Sequence, residues 1–172
     1  MKKNLAFAIL LLLLSSACSQ SRTYPLELAA FTKNSVSVLI RLEKDNDARY
    51  FLSATFTPEQ GLHLYSKDLP ITGVDGLGRP TLVEAGDTSQ YSVKGDLIES
   101  VSAQVPEFEP KSLLVYPAGT VTLSLPIDLP PGKTWTADTV KITYMACSDH
   151  GCKAPVIRQE LAIRIPGKAA SH

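Results

Sequence analysis

Apolar and polar residues trade places at every second position along much of this chain, and the fold has to accommodate that period. Side chains two residues apart share a face in an extended strand and not in a helix. Val36, Val38 and Ile40 alternate with Ser37, Leu39 and Arg41, and Asp45-Asn46-Asp47 then makes a turn. Tyr50 to Phe56 runs to Pro58, and Leu62 to Tyr65 follows Gly61. Val121, Leu123, Leu125 and Ile127 alternate with Thr122, Ser124 and Pro126 before the breaker Pro130-Pro131-Gly132. Val140, Ile142 and Tyr144 alternate with Lys141, Thr143 and Met145, and Leu161, Ile163 and Ile165 with Ala162 and Arg164. No window offers a long amphipathic helix, and 12 prolines and 10 glycines punctuate the pattern. The expected fold is therefore all-β, an immunoglobulin-like antiparallel β-sandwich. From Gly73 to Ser112 the pattern weakens, and short strands mixed with long loops are expected. Trp135 falls in a loop-like stretch and takes no role from its context.

The N-terminus reads as an export signal. Lys2 and Lys3 precede an uncharged apolar run from Leu5 to Leu14, closed by Ser15-Ser16-Ala17-Cys18. The run is well short of the roughly 20 residues that span a bilayer, so it reads as a cleaved segment and not as an anchor. Small residues before Cys18 resemble a lipobox, which makes Cys18 the expected lipidation site and the membrane a partner through that lipid. Ser15 stands where a lipobox usually has leucine, so cleavage beside Ala17 to give a soluble protein is the alternative. The expected division is residues 1–17 as lipoprotein signal peptide, 18–24 as lipidated N-terminus and short tether, 25–166 as the β-sandwich domain and 167–172 as a C-terminal tail. The expected location is the bacterial cell envelope, facing the periplasm. Ser19 and Gln20 offer no aspartate of the inner-membrane retention kind, which favours the outer membrane. With 17 basic and 17 acidic residues and no basic run, nucleic acid is not an expected partner.

The most informative segment is Tyr144-Met145-Ala146-Cys147-Ser148-Asp149-His150-Gly151-Cys152, which joins two predicted strands. If Ser148 to Gly151 form a four-residue hairpin loop, the cysteines face each other at about 5.5 Å between Cα atoms, a separation a disulfide can bridge. Gly151 can supply a positive φ to that loop. Parity sets Cys147 on the face of Lys141 and Thr143, opposite Val140, Ile142 and Tyr144, and so predicts that it is accessible. The pair admits a structural reading, as expected of an oxidising compartment. It also admits a redox reading, which needs a reachable thiolate. His150 and Lys153 would favour that thiolate and Asp149 would oppose it.

The run Lys141 to Cys152, with Pro155 after it, resembles the active-site hairpin of the N-terminal periplasmic domain of the thiol:disulfide interchange protein DsbD and of related disulfide bond corrector domains. Gly61-Leu62-His63-Leu64-Tyr65-Ser66 resembles the family's early G-x-H-x-Y-S segment, and Tyr116 to Ile127 its strand pair before the active site. The resemblance implies an immunoglobulin-like fold and a pair that shuttles between dithiol and disulfide without a cofactor or metal. It implies that Cys152 forms mixed disulfides and that Cys147 resolves them. Phe108, within Pro106-Glu107-Phe108-Glu109-Pro110, falls where the family carries a cap-loop aromatic, and core packing is its plain alternative. Partners would be thioredoxin-like or other disulfide-bearing proteins outside the cytoplasm. The cysteines stand one residue closer than in the best-known members, and Lys153-Ala154-Pro155 replaces an aromatic-Pro-Pro. The chain to His172 includes neither the membrane electron-transfer domain nor the thioredoxin-like domain of full-length DsbD, so a separate reductant is expected.

Two other classes compete. Cys147, Cys152, His150 and Met145 could offer soft ligands to Cu(I), although the spacing matches no recognised zinc or copper pattern. A binding module with a structural disulfide is the other. His63 is expected to be a hydrogen-bonded edge residue. Neither a G-x-S-x-G elbow nor an H-E-x-x-H helix occurs, so no hydrolase motif is present.

Overall fold

The computed structural model describes residues 23–132 and 134–168. The expected signal peptide, Cys18, most of the tether and residues 169–172 lie outside the described residues. Within them the chain forms β1 (Leu26–Lys33), β2 (Val36–Lys44), β3 (Tyr50–Pro58), β4 (His63–Leu64), β5 (Leu82–Ala85), β6 (Ser92–Val93) and β7 (Ile98–Glu99). After these come β8 (Val121–Asp128), β9 (Trp135–Tyr144), β10 (Ala146–Ser148), β11 (Gly151–Cys152) and β12 (Val156–Pro166). No α-helix occurs among the described residues.

Two sheets pack face to face. One runs β1-β2-β3-β8-β6, with β7 also on β8, and the other runs β12-β9-β5; every strand pair is antiparallel. The alternation read from the sequence becomes their inner faces. Val36, Val38, Ile40 and Leu42 from β2 meet Leu52, Ala54 and Phe56 from β3 and Val121, Leu123, Leu125 and Ile127 from β8. Val140, Ile142, Ile163 and Ile165 come from the facing sheet, and all belong to one buried cluster. This is the expected all-β, immunoglobulin-like antiparallel sandwich. Each fully buried aliphatic side chain of this kind is worth about 1.5–3 kcal/mol relative to exposure, so the inner faces dominate stability. On the outer face of β3 and β8, hydroxyls pair across the strands, Ser53 with Ser124 and Thr55 with Thr122, both at 2.9 Å.

Tyr144, at the end of β9, ties the two sheets together. Its ring lies edge-on to Phe56 of β3, with centroids 5.8 Å apart, and close to Phe31 of β1 at 6.4 Å. Its hydroxyl donates to the carbonyl of Lys33 at 2.8 Å. Just beyond it the chain leaves the sandwich: β10 pairs with β11 on one side and β4 on the other, forming a third, small sheet.

Several elements differ from the sequence expectation. β1 carries no clean alternation because its pairing with β2 shifts between Glu27 and Ala29, and a bulge of this kind changes which residues face inward. β9 starts earlier than expected, since Trp135 and Thr136 pair with Pro166 and Ile165; the stretch read as loop-like is strand. Between Gly73 and Ser112 lie β5, β6 and β7 among long loops, as expected.

Replacing Phe56 with alanine should cost about 3–5 kcal/mol by leaving a cavity beneath Tyr144. Tyr144→Phe should cost about 1 kcal/mol through the lost hydrogen bond. Urea unfolding should show both as lower midpoints at an unchanged m-value.

Candidate functional site

The small sheet is built around Cys147. On one side Cys147 pairs with Cys152 and Ser148 with Gly151; on the other, Cys147 pairs with His63 and Ala146 with Leu64. The hairpin loop is thus the two residues Asp149-His150, not the four expected, because Ser148 and Gly151 are themselves paired. Gly151 takes a φ of 144°, where a side chain would be strained. Ser148 Oγ closes the turn, accepting from the His150 N–H at 3.2 Å and donating to the Gly151 carbonyl at 3.3 Å.

Antiparallel pairs alternate between hydrogen-bonded and non-hydrogen-bonded positions. The Lys153 N–H donates to the Ala146 carbonyl at 2.9 Å, so the pair between it and Ser148–Gly151 is of the non-hydrogen-bonded kind, where chains approach most closely. Cys147 and Cys152 occupy that position, with Cα atoms 4.0 Å apart and a disulfide formed. This is nearer than the 5.5 Å of a hydrogen-bonded pair anticipated from sequence.

The two sulfurs have different surroundings. Cys147 is only 2% exposed, packed with Tyr65, Leu69 and Leu113 in a second apolar cluster that Val115 and Met145 flank. Cys152 is exposed. The prediction that Cys147 is accessible is therefore corrected. Parity carried along β9 presumes a strand that continues in its own sheet, whereas the chain changes sheets at Met145, and the loops bearing Leu69 and Leu113 cover the face. Lys141 and Thr143, placed on an open face by the same reasoning, are buried too; the Lys141 ammonium is paired with the Asp87 carboxylate.

Above the pair opens a cleft of about 500 Å³ whose lining includes His63, Tyr65, Phe108, Asp149 and both cysteines. The Tyr65 hydroxyl lies 4.0 Å from Cys152 Sγ, and it is the donor, since a disulfide sulfur carries no proton. Burial pushes the Tyr65 phenol above its ordinary range, so it stays protonated at neutral pH. Phe108, 37% exposed, stacks on the His63 ring at 5.6 Å between centroids and 28° between planes. Its loop is held by Lys111, whose Nζ donates to the carbonyls of Pro106 at 3.2 Å and Glu107 at 3.0 Å. His150 and Lys153 stand apart: both are exposed and neither lines the cleft. Asp149, set against them in the sequence reading, does line it.

His63 departs from expectation. It is an edge residue of the small sheet, but its Nε2 is buried with no hydrogen-bond partner. Phe108 covers one face of the ring and Tyr65 meets it edge-on at 5.4 Å. Burial holds the imidazole below its ordinary value of 6.5, with Asp149 opposing that shift. Sequence reasoning passed over this contact, although the i, i+2 spacing of His63 and Tyr65 placed both on one strand face. Among the described residues, no group of three or more His, Cys, Asp or Glu side chains comes together as a metal site. Of the four residues weighed for copper, His150 lies off the cleft that the other three line.

No family model matches the sequence, and no curated protein matches it either. Among solved structures, the N-terminal domain of DsbD from Neisseria meningitidis in its reduced form aligns over 84% of this chain and 85% of that one, at 15% identity and a TM-score of 0.42. The chain is similar to that domain. It is the domain whose active-site hairpin the run from Lys141 to Cys152 resembles.

The His63 shift has a sign that stability measurements can test. An unfolded histidine takes up its proton near pH 6.5, whereas folded His63 does so only at lower pH, so between the two values the unfolded state binds more protons and stability rises with pH. The contribution is complete above about pH 6.5 and is lost as pH falls toward the folded value. His63→Phe should remove this component of the pH dependence. By NMR, Asp149→Asn should drive the His63 titration lower still.

Proposed function

We propose that this protein carries out thiol–disulfide exchange outside the cytoplasm, passing electrons through the Cys147/Cys152 pair to partner proteins. The observation that carries the reading is the asymmetry of the pair: Cys152 exposed at the mouth of a cleft, and Cys147 almost fully buried directly behind it. A structural staple needs no such difference. A two-step exchange does, because one sulfur must meet a partner while the other must be reachable only from within.

In this reading the reduced pair acts on a partner disulfide. The Cys152 thiolate attacks one partner sulfur, forming a mixed disulfide and releasing the other as a thiolate that takes up a proton. Cys147 then attacks Cys152 Sγ, the mixed disulfide breaks, and the partner leaves as a dithiol while Cys147–Cys152 is restored. Phe108 shields the pair between encounters, with its loop giving way to admit a partner. His150 and Lys153, on either side of Gly151-Cys152, favour the attacking thiolate from outside the cleft. Thioredoxin-like or other disulfide-bearing proteins are the partners that fit. Cys18, lipidated, would hold the domain on the periplasmic face of a membrane, the outer one preferred.

Cys147→Ser should trap a mixed disulfide with a partner, and Cys152→Ser should form none. The Cys147–Cys152 couple should equilibrate near or above about −230 mV in glutathione buffers. A value well below roughly −300 mV, with both variants equally silent and less stable, would mark the bond as structural and the protein as a binding module. Cys18→Ala should release the protein from the membrane fraction, and unchanged fractionation would end the lipidation reading.

A further inference from the structure

Residues directly opposite each other on antiparallel strands project to the same face, with Cβ atoms about 4.5–5.5 Å apart. Cys147 is opposite Cys152 on one side and opposite His63 on the other, so the three side chains form a row across the small sheet, in the order Cys152, Cys147, His63. His63 is therefore the cross-strand neighbour of the inner cysteine, and the cysteine that meets a partner stands on the far side. The ring is held in place by Phe108 on its face and Tyr65 at its edge. Its Nε2 is buried and has no hydrogen-bond partner, an arrangement that is costly and calls for a reason.

Resolution of a mixed disulfide supplies that reason. The inner cysteine must lose its proton to attack, and it is almost fully buried, which raises the cost of the bare thiolate. We infer that His63 is the proton acceptor for Cys147: its neutral imidazole takes the thiol proton as Cys147 attacks the mixed disulfide held at Cys152. The inference rests on the exchange reading above. The step balances within the site. The Cys147 S–H bond breaks and its proton moves to the imidazole, the Cys147–Cys152 bond forms, and the bond from Cys152 to the partner breaks. The partner sulfur leaves as a thiolate that takes up a proton from solvent, and the imidazolium gives its proton back to solvent. The oxidant is the partner's disulfide, and no other reagent enters.

The titratable groups facing the ring are Tyr65, next but one along the same segment, Asp149 and the two cysteines from the hairpin, and Glu109 from the Phe108 loop. Burial keeps His63 unprotonated at neutral pH, which is the state an acceptor needs, and Asp149 stabilises the imidazolium once formed.

The test separates the two chemical steps. Reduced protein is mixed with glutathione disulfide, quenched in acid at intervals, and resolved by mass into glutathione adduct and internal disulfide. In His63→Phe, which keeps an aromatic ring between Phe108 and Tyr65, the adduct should form at close to the wild-type rate. Its resolution should slow by roughly a hundredfold at neutral pH, the usual scale for losing a positioned base. The pH profile of resolution should also lose its histidine inflection. Resolution at the wild-type rate with an unchanged profile would overturn the inference and leave the exchange reading standing. Failure of the wild-type protein to form any adduct would overturn both. Should His63→Phe not fold, nitrogen-15 NMR of the wild-type imidazole decides: its Nε2 shift should change on reduction, when an S–H donor arrives beside it, and identical shifts in both redox states would overturn the inference.

Discussion

The position of Tyr144 sets the rest of the molecule. Its ring occupies the gap between the two sheets, against Phe31 and Phe56, and its hydroxyl fixes the carbonyl that ends β1. A buried phenol with its one donor satisfied is held firmly; burial pushes its pKa up to about 12, so it does not ionise under physiological conditions. Three residues later comes Cys147. The hairpin thus departs from a fixed point in the core, and a strand that had been one layer of a sandwich becomes the middle of a separate three-stranded sheet. The site is precise because its root is buried, although most of its surface is loop.

Register then converts position into chemistry. Nothing in the small sheet is unusual for antiparallel pairing, yet pairing alone sets three side chains of different kinds in line and places the one exposed sulfur at the end. The surrounding loops supply what pairing does not: an apolar floor of Leu69 and Leu113, an aromatic wall of Phe108, and a phenol that reaches the outer sulfur. Asp149 lines the cleft beside the pair, whereas His150 and Lys153 are exposed and stand off it.

The sandwich was legible in the sequence because its inner faces obey a single rule over long strands. Val36 to Leu42 and Val121 to Ile127 carry an apolar residue at every inward position and pair over their whole length. Legibility failed where the rule is locally broken: at the bulge in β1, at Trp135, whose strand neighbours lie far off near the end of the chain, and at the change of sheet after Tyr144. Parity is a property of one strand in one sheet, so it gave the wrong face for Cys147 once the chain changed partners. The cysteine hairpin was visible as a motif, but its loop was assigned four residues in place of two, since no local signal shows that Ser148 and Gly151 continue the ladder. His63 was the hardest residue to read. Its importance comes from a partner more than eighty positions away and from a stacking ring on a third segment, and neither leaves a mark on its own neighbourhood in the chain.

The non-hydrogen-bonded position of the cysteine pair also governs how much main chain must rearrange if the disulfide opens. The backbone bonds that hold the hairpin lie in the rungs on either side, through Ala146 with Lys153 and Ser148 with Gly151. None runs between the cysteines themselves. Opening the sulfur–sulfur bond therefore breaks no rung, and the two oxidation states can share one main-chain ladder, differing mainly in two side-chain rotations. Used in exchange as proposed, a pair held this way would have little main chain to reorganise between its two oxidation states.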